Sequence, residues 1–383
     1  MASSDHALLS ASNAHRWLNC PPSVLASQGA SGVVSAAAEQ GTAAHELAEW
    51  KLRRALHLHP TTRPVSDWQD EEMEAHTDDY VAYVQQVLAG TRKVTADPLV
   101  CIEQRLDYSH IVPGGFGTGD CVIVADGTLH VIDLKYGAGV LVDATENPQL
   151  KLYAIGAIAA FDRLYDITTV VIHIFQPRRE NVTTWETSVA ELEEWAKSVV
   201  RPKAELAAVG AGEFCPGSWC QFCAIAPTCR ARADANLALA RGEFAPPAEL
   251  TDTEIAEVLA RLPQLTKWAS DVEAYATSLA MNQGKQWPGF KLVTGRSVRK
   301  YASEPKVIAT LEAAGVTDIF EKKLRTITAM EKQLGKTTLA EILGGLVIKP
   351  AGKPVLVPDT DKRAALDQRD AATDFTAINE TKK

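Results

Sequence analysis

Three residues near the middle of the chain have the types and spacing to hold a divalent cation. Asp120 follows Gly119, and the triplet Asp133-Leu134-Lys135 comes shortly after it. Carboxylate oxygens suit a hard ion such as Mg²⁺ or Mn²⁺, and a lysine beside them can orient or deprotonate a nucleophilic water. Alone, such a triplet reads as an exposed strand end with an ion pair. A second constellation is built of thiols. Cys220, Cys223 and Cys229 stand as C-x2-C-x5-C, with Cys215 just upstream and Cys20 far away. Clustered cysteines in a cytosolic chain read as metal ligands before disulfides. Three of them need a fourth ligand, for which Cys20 and Cys215 compete. Zinc and an iron–sulfur cluster accept the same donor set.

Positioning these groups needs a hairpin. Short β-branched runs at Leu99–Leu106, Gly119–Ala125, Leu129–Leu134 and Thr169–Phe175 predict strands, and Asp126-Gly127 between the second and third is a hairpin turn signal. Asp120 and Asp133 then meet at neighbouring strand ends, and alternation puts Asp133 and Lys135 on one face. Cys101 and Cys121 fall in these strands and read as core residues. Helices are expected over His6–Cys20, Val33–Leu58, Asp70–Leu88, Asn147–Phe161 and Val189–Val209, the last leading into the cysteines. Gln149 and Tyr153 share a face of the fourth. The order strand, hairpin, helix, strand predicts a mixed α/β core. Further on, Leu250–Asn282 reads as an amphipathic helix, 289–293 as a short β-like stretch, and Pro305–Ala314 and Thr328–Leu343 as helices. The tail beyond Asp359 reads as polar and frayed.

The formal net charge of −9 counts mildly against nucleic acid, but Lys285–Lys353 holds 13 Lys or Arg against 6 Asp or Glu. Within it, Lys291, Arg296, Arg299 and Lys300, with Phe290 and Tyr301, could track phosphates and stack bases of single-stranded DNA; a solvated charged face is the plain alternative. No apolar run is long enough to cross a bilayer and the N-terminus lacks a secretory pattern, so a cytoplasmic, membrane-free protein is expected.

The ordered set Gly41-x3-His45, Gly119-Asp120, Asp133-x-Lys135 and Gln149-x3-Tyr153 resembles the RecB/AddB-type branch of PD-(D/E)XK nucleases. The resemblance implies a restriction-endonuclease-like core in which His45, Asp120, Asp133 and the backbone carbonyl of Leu134 hold Mg²⁺ or Mn²⁺. It makes Lys135 the catalytic lysine, with Gln149 and Tyr153 supporting the site and the DNA. Glu103, on the first strand, is a further acidic candidate. Gly119 replaces the nominal proline. The cysteine pattern is similar to the [4Fe–4S] staple of the iron–sulfur members, which implies Cys20, Cys220, Cys223 and Cys229 as ligands, zinc being the alternative, with Cys215 a spare thiol. Such a staple would tie the two flanks of the core together. Four segments, including His15–Pro21 and Trp287–Val293, also resemble a phage and prophage family of uncharacterised nuclease-like proteins.

The expected organisation is an N-terminal segment over 1–32, a nuclease core over 33–210, an iron–sulfur lobe over 211–235, a mostly helical basic domain over 236–358 and a polar tail over 359–383. The expected activity is metal-dependent exonuclease action on single-stranded DNA or duplex ends, alongside phage recombination or replication proteins. A structure-specific endonuclease, a non-catalytic DNA-binding or assembly protein that keeps the fold, and a zinc-stapled structural protein are the alternatives.

Overall fold

A computed structural model describes residues 7–29, 36–58, 62–242, 251–290, 330 and 335–343. The chain divides into two compact units, Met1–Pro288 and Gly289–Lys383. The first is an α/β structure around one five-stranded mixed sheet in the order β1-β2-β3-β4-β5. The strands are β1 (Leu99–Asp107), β2 (Phe116–Ala125), β3 (Gly127–Leu134), β4 (Ile167–Gln176) and β5 (Asn181–Ser188). Only β3 and β4 run parallel, because a helix joins them; the other neighbours are antiparallel. Asp126-Gly127 makes the expected β2–β3 turn, with Ala125 paired to Thr128 and Gly127 at φ +82°. That left-handed conformation suits a residue without Cβ.

Helices cover both faces. Apolar residues at helical spacing on α3 (Ala36–Ala55) and α4 (Glu71–Thr91), among them Ala48, Leu52, Tyr80, Val84 and Leu88, pack on Ile102, Cys121, Ile123, Ile132, Leu134 and Phe175. On the other face, α5 (Pro148–Phe161) packs Leu150, Ala154 and Ala157 against Leu106, Val122, Val131 and Ile172. The buried polar chain Tyr83–His173–His130, linked at 2.9 and 3.0 Å, ties α4 to β4 and β3. Burial keeps both imidazoles neutral, pushing them down to about 3 for His173 and about 4 for His130.

The N-terminal segment is part of this core. Leu9, Ala14 and fully buried Trp17 join the α5-side cluster, carried by α1 (Ala14–Asn19) and followed by α2 (Ser23–Ala26). The expected 189–209 helix is three pieces, α6 (Val189–Trp195), a π-turn over Ala196–Val200 and α7 (Arg201–Ala208). Pro202 has no N–H for the ladder, which accounts for the wide turn before it. The sequence reading lacks β5 and α8 (Arg230–Gly242). The helix expected over Leu250–Asn282 is α9 (Asp252–Gln283), begun by a Thr251/Glu254 capping box and ended at left-handed Gly284. Lys336–Leu343 is helical; the stretch expected as a helix over Pro305–Ala314 and the tail lie outside the described residues. No described helix is long and apolar enough to cross a membrane.

Candidate functional site

The site sits where the sheet loses its regular alternation. Val122 and Val124 face α5, while Cys121 and Ile123 face α3 and α4. A period of two would therefore send Asp120 toward α5 with Val122. Its carboxylate instead reaches His45 on α3, with His45 Nδ1 to Asp120 Oδ1 at 3.3 Å. The phase slips opposite Asp120 in the β1–β2 register, at Glu103, which is held at φ +49°. Past the slip, Gly117 and Gly119 lie against the ring of Tyr153 on α5; a Cβ on Gly117 would come within 2.6 Å of that ring. A Cβ on Gly119 would come within 3.0 Å of Leu106 Cδ1, a tighter contact than usual.

The slip puts three ligating groups on one side. His45, Glu103 and Asp120 each offer an atom, and these atoms lie within 4.8 Å of one another. His45 flanks the apolar stripe Ala43, Ala44, Leu47 and Ala48 of α3, which fixes its position while leaving its side chain 32% exposed. A non-glycine residue at positive φ costs ~1–3 kcal/mol, a strain that persists only where surroundings enforce it.

Next to this group the β2–β3 ladder ends at Cys121–Ile132. Beyond it, the Leu134 N–H donates to Asp120 Oδ2 at 2.7 Å, so a carboxylate stands where a strand partner would be. Asp133 and Lys135 lie on the α5 side of this opening. Lys135 Nζ is 2.7 Å from Asp133 Oδ2 and donates to Gln149 Oε1 at 3.0 Å. Gln149 Nε2 reaches Asp133 Oδ1 at 3.4 Å and Tyr153 Oη at 3.2 Å. Asn147 caps α5 by accepting from the N–H groups of Gln149 and Leu150, which seats Gln149 in the first turn. Tyr153 is only 6% exposed, so its place is under the site.

Electrostatics separate the acids. Burial raises Asp133 above the usual carboxylate range, offset only in part by Lys135. Burial also opposes ionisation of Asp120, but the charge and hydrogen bond of His45 outweigh it and hold Asp120 low. Burial likewise opposes charge on His45, yet Asp120 lifts it to about 9. Glu103 is raised to about 7 by burial and then by the Asp120 charge. The result is an excess of carboxylate with one imidazolium as internal counterion, which an entering cation would replace.

Glu103 gives a measurable signature. A carboxyl raised from 4.5 to about 7 destabilises the fold as pH rises through that window, and the penalty is complete above about 7. The penalty is of order 1–3 kcal/mol after allowing for partial solvent screening. In EDTA, Glu103→Gln should therefore melt several degrees above the parent at pH 8 and level with it at pH 4.5 to 5. By calorimetry at pH 8 the same variant should bind Mn²⁺ at least tenfold more weakly. Equal melting at pH 8 together with equal Mn²⁺ affinity would remove Glu103 from the site.

The cysteines form a second locus. Cys20, Cys215, Cys220, Cys223 and Cys229 line one small cavity together with Arg16, Ser23, Trp219 and Ala226. α1 brings Cys20 to the 3-10 turn Ser218–Phe222, and His15 meets the Trp219 ring edge-on. Cys20 and Cys220 are buried, and burial raises both thiols. The Gly217 N–H donates to Cys220 Sγ at 3.4 Å. Among the described residues, no three cysteine sulfurs lie within 4.8 Å of one another. Two arginines near the cysteines in sequence are not among the expected site residues: Arg16 lines this cavity, and Arg232 donates to the carbonyl of Ala226 in its wall. Their nearness to Cys20 and Cys229 was the available signal. Lys291, Arg296, Arg299, Lys300 and Tyr301 lie outside the described residues; Phe290 is exposed.

An α/β sheet carrying a histidine–carboxylate group beside an Asp–Lys–Gln chain, with a separate thiol-lined cavity, is the class these features define. The chain belongs to a family described as "Protein of unknown function (DUF2800)", whose model matches residues 6–364. Among solved structures it is similar to one titled "Crystal structure of SSO0001", with 12% identity over 50% of this chain and 84% of that chain. The TM-score of 0.21 is too low to carry an argument about fold.

Proposed function

We propose that this protein is a Mg²⁺- or Mn²⁺-dependent DNA nuclease of the PD-(D/E)XK kind, acting on single-stranded DNA or duplex ends, in phage recombination or replication. The observation that carries the reading is the convergence of His45, Glu103 and Asp120 at the strand opening that Asp133, Lys135 and Gln149 border. The donor set fits a divalent ion of the Mg²⁺ or Mn²⁺ type. Oxygen ligands dominate, one imidazole favours Mn²⁺, and the spacing needs only small side-chain movement to close on one ion. This set differs from the one expected from the motifs in adding Glu103 and in leaving Asp133 ion-paired to Lys135. A bound cation would neutralise phosphate charge and acidify a water. The chain's own groups do the rest. Lys135, held by Asp133 and Gln149, stands ready to orient the attacking water, or to take its proton while passing its own to Asp133. Tyr153 and the α5 cap fix Gln149 and so fix the lysine.

The thiol cavity is read as an iron–sulfur site, with zinc the alternative, because the four cysteines of the expected pattern line it together. Cys20, Cys220, Cys223 and Cys229 would hold the cluster.

The test is incubation of the full chain with matched linear and circular DNA, single- and double-stranded, in Mg²⁺, Mn²⁺ or EDTA. Loss of linear DNA in metal alone, with circles spared, is the expected result. Cutting of circles would favour the endonuclease reading. Binding without cleavage in any metal would leave a DNA-binding or assembly protein.

A further inference from the structure

Arg16 at the thiol cavity and Arg232 behind its Ala226 wall have N–H groups that nothing among the described residues satisfies. Arg232 is 2% exposed. Its Nη1 donates to Asp271 Oδ2 at 2.6 Å and to the Ala226 carbonyl at 3.3 Å, while its Nη2 is buried without a partner. Ala226 belongs to the cavity wall. Arg16 lines the cavity itself; its Nη1 donates to the Ser23 carbonyl and to Ser27 Oγ at 3.2 and 3.0 Å, and its Nε is buried without a partner. Ser27 Oγ in turn stands 3.8 Å from Cys223 Sγ.

Such an arrangement is costly as it stands. A buried N–H of a cation left unpaired loses a charge-assisted hydrogen bond, and a buried charge without full compensation is strongly destabilising. Among the described residues Asp271 is the carboxylate that pairs with Arg232, and Lys267 pairs with the same carboxylate. The Arg232 guanidinium is close enough to Cys220 to act on its charge. The N-terminus of α8, thirteen residues long, begins directly after Cys229 and adds to the same polarity.

We propose that Arg16 and Arg232 are the charge partners of a dianionic metal–thiolate group in this cavity, donating their free N–H groups to its sulfurs. The inference rests on the reading of the cavity as a cofactor site. It makes the two arginines positioning residues that set how firmly the group is held and how easily it accepts an electron. Four thiolates around a [4Fe–4S]²⁺ core carry a net charge of −2, which two guanidinium groups balance. Arg232 has a second duty, joining α8 to α9 through Asp271.

The test uses the full chain, purified anaerobically, with iron and zinc measured per chain and the reduction midpoint read by dithionite titration. Removing a nearby positive charge makes the added electron less welcome. Arg16→Gln and Arg232→Gln should each shift the reduction equilibrium at least tenfold toward the oxidised form, about 59 mV for one electron. Arg→Lys at either site should recover most of that. Asp271→Asn, which frees the Arg232 charge, should move the midpoint the opposite way. If Arg232→Gln fails to fold, Arg16→Gln and Asp271→Asn still give opposite signs. A loaded cluster with unchanged midpoints in all variants overturns the inference while leaving the cofactor reading intact. A parent holding zinc overturns the iron reading alone, and the arginines are then judged by chelator-driven zinc loss: tenfold faster in Arg16→Gln supports them, equal rates overturn them. A parent with no metal overturns both.

Discussion

Lys135→Ala is expected to lower Mn²⁺-dependent cleavage of linear DNA by ~10²- to 10⁴-fold, the range that a positioned proton-transfer group contributes. The reason is local. Among the described residues Lys135 is the one cation within bonding distance of Asp133, and its ammonium is aimed by Asp133 and Gln149 together. Stability should change little, because burial already favours the neutral form of Asp133 and a proton can replace the lost cation. A melting midpoint within a few degrees of the parent is therefore expected. Asp120→Ala should abolish cleavage by a different route. It removes a ligand, the counterion of His45 and the acceptor of the Leu134 N–H at once, so it should cost both metal binding and stability. Gln149→Ala leaves Lys135 charged but less well aimed, so a smaller loss is expected. Full activity in Lys135→Ala would sink the assignment of the site.

Much of this locus was legible because its pieces are local. Asp126-Gly127 announced the hairpin, and two-residue alternation put Asp133 and Lys135 together. The one-turn spacing of Gln149 and Tyr153 placed both beneath the strands, where they share a hydrogen bond. The role of Glu103 was not legible to the same degree. Nothing in Ile102-Glu103-Gln104 marks a left-handed residue inside a strand, yet that residue lies opposite Asp120, where the alternation breaks. Strand β5 was missed for a related reason. Its alternation of Val182, Thr184 and Glu186 with Thr183, Trp185 and Thr187 leaves one face in solvent, so it lacks the apolar run that marked the other strands. The N-terminal segment was expected as a separate polar stretch with one short helix, outside the core. Trp17 and Leu9 are fully buried only because α5 and the sheet meet them, which is a long-range fact. The same holds for Arg232 and Asp271, paired from helices whose approach the sequence pattern does not encode.

That long-range closure sets the second large effect. Cys20 and Cys220 lie 200 positions apart, since 220 − 20 = 200, yet they line one cavity. A covalent or metal-bridged link across such a loop removes chain entropy from the unfolded state, of order 5 kcal/mol in the loop-closure model. Cys20→Ser should therefore lose the cluster and lower the melting midpoint by ~10 °C or more. Iron should fall from about four per chain to near zero in anaerobic preparations. Cys215→Ser should leave both unchanged. Cys215 is exposed and serves the cavity through its backbone, its N–H toward the Cys20 sulfur and its carbonyl accepting from Trp219 Nε1 at 2.7 Å. A serine there keeps both bonds. Cys220→Ser provides the internal control, because Cys220 is buried and takes the Gly217 N–H on its sulfur. It should behave like Cys20→Ser. If Cys20→Ser retains its iron and Cys215→Ser loses it, the distant ligand has been misassigned and the closing link runs through Cys215. If neither loses metal, neither Cys20 nor Cys215 is a required ligand, and no metal link closes the long loop between the two flanks.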